Sequence, residues 1–85
     1  MFVGTIPDTN VDATTGFKFS IDMPFEGVVR GDRVTVALVP VNTSDSLVEF
    51  FISAYVPDTD MVRIVTYQPL YDYTIPECDV LVSVL

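Results

Sequence analysis

Hydrophobic and polar residues alternate along most of the chain with a period of two, which is the pattern of β-strands. In Phe17–Ile21 the aromatic and aliphatic side chains fall on one face and the polar side chains on the other. The same alternation predicts strands over Arg33–Val41, Met61–Gln68 and Asp79–Leu85. Both faces of Arg33–Val41 are rather apolar, and Pro40 near its end predicts an edge or a bulge, because proline cannot donate to a ladder.

The segment Leu47–Val56 carries two conflicting signals. Ser46 followed by Glu49 has the spacing of a capping box that opens a short helix. The valine, phenylalanine, isoleucine and tyrosine residues that crowd the segment favour a pleated strand instead. We therefore predict a strand here and keep a short helix as the alternative.

Turn signals separate these runs, and together they predict the fold class. Several short strands at this spacing indicate an all-β domain, a small antiparallel β-sandwich or jelly-roll-like barrel of six or seven strands, that occupies residues 1–85 as a single domain. Gly31–Asp32 suits the two-residue loop of a type II′ hairpin. The other predicted turns are Thr14–Gly16, Pro24–Gly27, Asn42–Ser46 and Pro57–Asp60.

One short phrase occurs three times, as IPDTNV from Ile6, VPDTDM from Val56 and IPECDV from Ile75. Proline at the second position of a type I turn, followed by an acid and a later Asp or Asn that bonds to the backbone, accounts for every position. The alternative is a cation site, in which spaced carboxylates supply oxygen ligands for Ca²⁺. It would draw on two neighbouring turns and their four acids, Asp58, Asp60, Glu77 and Asp79. The turn interpretation is the one we favour, and we predict no metal and no cofactor.

The composition predicts that part of the surface is covered by a partner. Of the 85 residues, 49% are hydrophobic and only 19% are charged, which is more apolar surface than a lone domain of this size hides comfortably. Both chain ends are apolar, and a bare terminal strand of this kind is an aggregation hazard unless it is paired. We therefore expect a homo-oligomer that belongs to a larger protein assembly.

Several chemistries lack their usual residues. The sequence has no histidine, and its one cysteine, Cys78, stands between two acids that raise the pKa of a thiol, so we predict that the protein is not an enzyme. Four scattered bases against 12 acids give a net charge of −8, which disfavours nucleic-acid binding. No apolar run is long enough for a membrane span, the first residues lack the pattern of a secretion signal, and no small-molecule substrate is expected.

These features together resemble, in type and without a shared motif, small virion proteins that decorate or cement a phage capsid. The resemblance implies a structural protein located in the virion or the cytoplasm. It would bury its apolar end strands and the tyrosine-rich stretch YQPLYDY against capsid subunits or sister copies. The candidate interaction residues are Phe2, Val3, Tyr67, Leu70, Tyr71, Tyr73, Leu81, Val84 and Leu85.

Two other functional classes remain open on the sequence. A soluble acidic inhibitor would imitate nucleic acid and occupy a basic groove on an enzyme, which requires carboxylates spaced like phosphates on one face. A carbohydrate-binding domain would have to stack sugars on tyrosines, since the chain has no tryptophan.

Overall fold

The computed structural model describes residues 1–42, 44 and 50–85, which form eight strands and one 3₁₀ turn, Ala13–Thr15. The described residues contain no α-helix, and no helix among them is long and apolar enough to cross a membrane. The strands are β1 (Phe2–Ile6), β2 (Thr9–Val11), β3 (Lys18–Pro24), β4 (Val34–Pro40), β5 (Phe51–Asp58), β6 (Met61–Tyr67), β7 (Tyr73–Ile75) and β8 (Cys78–Val84).

All strand pairs are antiparallel, and they form three sheets. Sheet A has the order β1-β8-β4, sheet B pairs β2 with β7, and sheet C has the order β3-β6-β5. The all-β antiparallel prediction is confirmed. The predicted number of six or seven strands is wrong, because β2 and β7 have three residues each and are too short to give a readable alternation. Among the strands of the described residues, the sheets are not closed into a barrel.

Sheets A and C share one hydrophobic core. The central strand of sheet A buries Val80 and Val82, and the central strand of sheet C buries Val62 and Ile64, all in the same cluster. Since buried residues alternate along both strands, the residues between them lie on the outer faces of the sheets. The predicted alternation therefore separates core from surface correctly along β6 and β8.

The prolines within strands lie on edge strands. Pro40 ends β4 at the edge of sheet A, which confirms the prediction made for it. Pro57 lies in β5 at the edge of sheet C, beside a register shift between Tyr55 and Asp58. The prediction that Pro57 is part of the turn is wrong, since β5 continues to Asp58 and the hairpin loop consists of Thr59 and Asp60.

The segment 47–56 is a strand from Phe51 onward, and Phe50 lies just before it. Residues 51–56 belong to β5, which confirms the strand prediction for them, whereas residues 45–49 lie outside the described residues.

The turn at Gly31 differs from its prediction. The Asp32 amide donates to the Val29 carbonyl, so Gly31 is the third residue of the turn, and its φ of 94° is what a type II turn requires there. β3 ends at Pro24 and β4 begins at Val34, so no hairpin encloses this turn and the type II′ prediction is wrong.

Two copies of the repeated phrase lie side by side. Ile6 pairs with Cys78 at the end of sheet A, and Thr9 pairs with Ile75 at the start of sheet B. Between these pairs, Pro7 and Pro76 interrupt both strands, because neither has an N–H for the ladder. The phrase therefore marks the place where a two-stranded ribbon leaves sheet A and enters sheet B.

Candidate interaction surface

An apolar row crosses the outer face of sheet A. Phe2 on β1 and Ala37 on β4 both pair with Leu81 on the central strand β8. Phe2 is 58% exposed and Leu81 is 38% exposed, and Ala37 is also exposed. The outer face of an antiparallel sheet that meets water normally carries polar residues, so this row departs from the usual pattern.

The neighbouring positions extend this face. Val39 is exposed and pairs with Asp79, whose carboxylate accepts a hydrogen bond of 3.1 Å from the Thr5 hydroxyl. On the other side of the apolar row, Thr35 pairs with Ser83. The apolar part of the face is thus bordered by small polar side chains, as in protein interfaces, where an apolar centre has a polar rim.

The remaining candidates of the end strands lie at the margins of sheet A. Val84 and Leu85 are exposed beyond the core, and the Leu85 amide donates to the Arg33 carbonyl at 2.8 Å. Val3 is half-buried and packs against the core, next to the register shift between Phe2 and Gly4.

The tyrosine-rich stretch does not form one patch. Tyr67, at the end of β6, is exposed and pairs with Phe51, which is 73% exposed. Leu70 and Tyr71 are exposed in the loop that follows. Tyr73 instead lies in the core.

Tyr73 is held by its hydroxyl and its ring. The hydroxyl forms a hydrogen bond of 2.9 Å with the buried Thr66 hydroxyl and donates to the Phe17 carbonyl at 3.2 Å. The ring stacks on Phe50 with centroids 5.5 Å apart. Tyr73 is only 4% exposed, so it has no surface to offer to a partner.

The four acids of the predicted turns are not gathered. Within residues 1–42, 44 and 50–85, no group of three or more metal-ligating side chains comes together. Asp58 accepts from the Thr59 amide, Asp60 accepts from the Gly27 amide, and Asp79 accepts from Thr5. Glu77 lies in the β7–β8 connection.

A charged row occupies the outer face of sheet C. Arg63 on β6 donates two hydrogen bonds to the Asp22 carboxylate, at 2.6 and 3.0 Å, and one to the Tyr55 hydroxyl at 3.1 Å. These bonds hold the pKa of Asp22 below its ordinary value. The three residues face one another across β3, β6 and β5, so the outer face of sheet C is polar at its centre, unlike that of sheet A.

An open cleft lies between the start of β1 and the β3–β4 connection. Its volume is about 510 Å³, and Glu26 is its one ionisable side chain. A single carboxylate does not make an acid–base pair, so the cleft gives no catalytic arrangement. Its lining consists of Met1, Phe2, Val3, Pro24, Phe25, Glu26 and Gly27.

Sequence reasoning missed three surface residues, Phe51, Ala37 and Val39. For Ala37 and Val39, the apolar second face of Arg33–Val41 indicated a contact surface. This pattern indicates a strand that is covered on both sides, but it does not identify what covers it. Phe51 gave no separate signal, because Phe50 stands beside it and period two alone does not tell which of the two is buried.

The comparisons with known proteins give no relative for this chain: no protein-family model, no curated protein and no solved structure matches it.

Proposed function

We propose that this chain is a non-enzymatic structural protein that binds as an oligomer to a larger protein shell, with a phage capsid as the most concrete case. The observation that carries the proposal is the exposed row Phe2–Leu81–Ala37 across sheet A. In this proposal sheets A and C form a sandwich, sheet A faces the shell subunits, and the protein resides in the virion or, before assembly, in the cytoplasm.

The energetic scale of the row supports binding through it. Burying a side chain such as Leu or Phe contributes about 1.5–3 kcal/mol. In protein interfaces a few clustered, well-packed residues contribute most of the binding free energy, and neighbouring apolar residues on one face can form such a cluster. The row therefore suffices for binding that becomes tight when many copies act together.

The negative charge of the chain supports a protein partner that covers one face and leaves the opposite face in solvent. A net charge of −8 disfavours nucleic acid as the partner and keeps an assembly soluble where it faces water. In this proposal the outer face of sheet C, with its Asp22–Arg63–Tyr55 row, remains in solvent.

Nucleic-acid mimicry has less support. Mimicry requires free carboxylates on one face, but Asp12, Asp32 and Asp60 accept hydrogen bonds from backbone amides of their own or adjoining turns. These acids are explained by the turns that they stabilise, which leaves fewer for a partner.

The test compares two substitutions on the same face of β8. Leu81→Lys places a charge in the apolar row, and Ser83→Lys places the same charge at the next outward position. We expect Leu81→Lys to weaken binding to density-gradient-purified virus particles from the source organism by a factor of about 10 to 100, as loss of one buried Leu predicts. Ser83→Lys should bind nearly as the wild type does.

Co-sedimentation of the tagged protein with those particles, over a range of concentrations, measures this difference. A wild-type chain that stays at the top of the gradient, free of particles, contradicts the proposal. Equal binding of the two variants contradicts the assignment of the face.

A further inference from the structure

The two ends of sheet A carry opposite charges. Arg33 precedes β4, and Arg30 lies in the adjoining turn, and both are exposed. Asp32 stands between them, and its carboxylate accepts a hydrogen bond from the Val29 amide, so two positive side chains and one negative one leave this end with a net positive charge. Three exposed apolar residues, Val29, Val84 and Leu85, lie beside them, with Leu85 joined to Arg33 by a backbone hydrogen bond. We call these five residues the basic end.

The opposite end of the sheet is acidic. The Val41 amide, just beyond β4, donates to the Glu77 carbonyl, just before β8. Asp8 lies in the neighbouring strand connection, which runs beside the one that contains Glu77. Asp8, Val41 and Glu77 are all exposed, and we call them the acidic end.

The strands keep these ends apart. Residues 33 and 41, just before and just after β4, lie opposite residues 85 and 77, which flank β8. Eight residues of extended chain span roughly 26 Å at about 3.3 Å per residue. The two ends therefore cannot neutralise each other within one chain.

Neither end is neutralised elsewhere among the described residues. The ion pair found there joins Arg63 to Asp22 on sheet C, away from both ends. The side chains of Arg30, Arg33, Asp8 and Glu77 form no hydrogen bond or ion pair with any other described residue. Two of the chain's four bases thus stand together, next to exposed apolar side chains, in a protein of net charge −8.

We infer that copies of this chain associate head to tail, with the basic end of one copy against the acidic end of the next. A two-fold contact through the acidic end would set carboxylates against each other, and one through the basic end would bring four arginines together with only two aspartates. The head-to-tail contact instead pairs arginines with carboxylates and covers Val29, Leu85 and Val41. A contact of this heterologous kind closes into a ring of three or more copies or continues as a filament. The inference rests on the self-association that is part of the proposed function, and adds where it occurs.

Charge reversal tests the inference. The basic-end variant carries Arg30→Glu and Arg33→Glu, and the acidic-end variant carries Asp8→Lys and Glu77→Lys. Each should be monomeric by sedimentation velocity at a concentration where the wild type is oligomeric. An equimolar mixture of the two should regain oligomers, and so should one chain that carries all four substitutions, because each again brings opposite charges together.

The control variant Ser20→Lys/Ser53→Lys/Asp72→Lys adds as much positive charge as the acidic-end variant, on sheet C and the β6–β7 loop. It should remain oligomeric, and circular dichroism of every variant verifies that it is folded. Oligomers that survive both reversals would overturn this inference but leave the proposed self-association standing. A monomeric wild type would overturn both.

Discussion

At the scale of single residues, the Asp22–Arg63 pair makes stability depend on pH. Hydrogen bonds from Arg63 lower the pKa of Asp22 in the folded chain. A carboxylate whose pKa is lower in the folded than in the unfolded state contributes stability above its unfolded pKa, and this contribution is lost as the pH falls through the folded value.

We therefore expect Asp22→Asn to lower the free energy of unfolding slightly at neutral pH. Below about pH 4, the free energy of unfolding of this variant should decrease less steeply with falling pH than that of the wild type. Arg63→Gln should weaken the pH dependence in the same way, because it removes the hydrogen bonds that lower the pKa of Asp22. Some acid dependence should remain in both, since hydrogen bonds from Thr14 also lower the pKa of Asp12. Urea unfolding at a series of pH values measures these curves, and a curve for Asp22→Asn parallel to that of the wild type would contradict the role of the pair.

Residue identity alone does not tell which tyrosines are exposed. Tyr71 and Tyr73 stand in the same stretch, and both fit a contact patch by residue type. Tyr73 lies in β7, which pairs with β2, and its hydroxyl bonds both to Thr66 on the preceding strand and to Phe17, which is 56 residues earlier in the chain. Such partners depend on tertiary pairing and cannot be read from the alternation within one strand.

At the scale of elements, the β5–β6 hairpin holds the β3–β4 connection through Asp60. The Asp60 amide donates to the Val28 carbonyl at 2.9 Å, the Asp60 carbonyl accepts from the Phe25 amide at 3.0 Å, and its carboxylate accepts from the Gly27 amide at 2.8 Å. Asp60 also has a φ of 59°, a left-handed conformation that Asn and Asp tolerate better than other side chains. The acid of the repeated phrase is thus explained by its turn and its neighbour, without a metal.

We expect Asp60→Ala to reduce the free energy of unfolding by about 1–3 kcal/mol, since it loses one acceptor and places alanine at a positive φ. Asp60→Asn should reduce the free energy of unfolding much less, because the amide oxygen of asparagine accepts the same hydrogen bond and asparagine also tolerates the left-handed region. Chemical unfolding of the two variants measures the difference. A loss as large for Asn as for Ala would indicate that the negative charge, and not the turn geometry, is what this position requires.

The elements that were predicted correctly are those with long alternation. β6 and β8 each show it over seven residues, and the edge position of Pro40 follows from the missing N–H of proline. The errors lie where geometry depends on a partner strand. Pro57 reads as a turn residue, but the Asp58–Met61 pair closes the hairpin one position later and leaves it in β5.

At the scale of the whole molecule, composition predicts excess apolar surface without locating it. Met1, Phe51 and Leu70 are each more than 70% exposed, and the row at Leu81 crosses a whole sheet. The location follows only from register, because Phe2, Ala37 and Leu81 are far apart in sequence and meet through the β1-β8-β4 order. The opposite charges at the two ends of sheet A likewise become apparent only once β4 and β8 are paired.

The measurement that tests the account most directly is the native mass of the pure wild-type protein, by mass spectrometry under gentle conditions and over a range of concentrations. We predict assemblies of three or more chains, either a closed ring or a series that grows with concentration, because head-to-tail contacts do not stop at two copies. A species that remains at two chains at every concentration would contradict the head-to-tail contact. A single species with the mass of one chain at every concentration would contradict self-association altogether, and would move the acidic-inhibitor interpretation to the front.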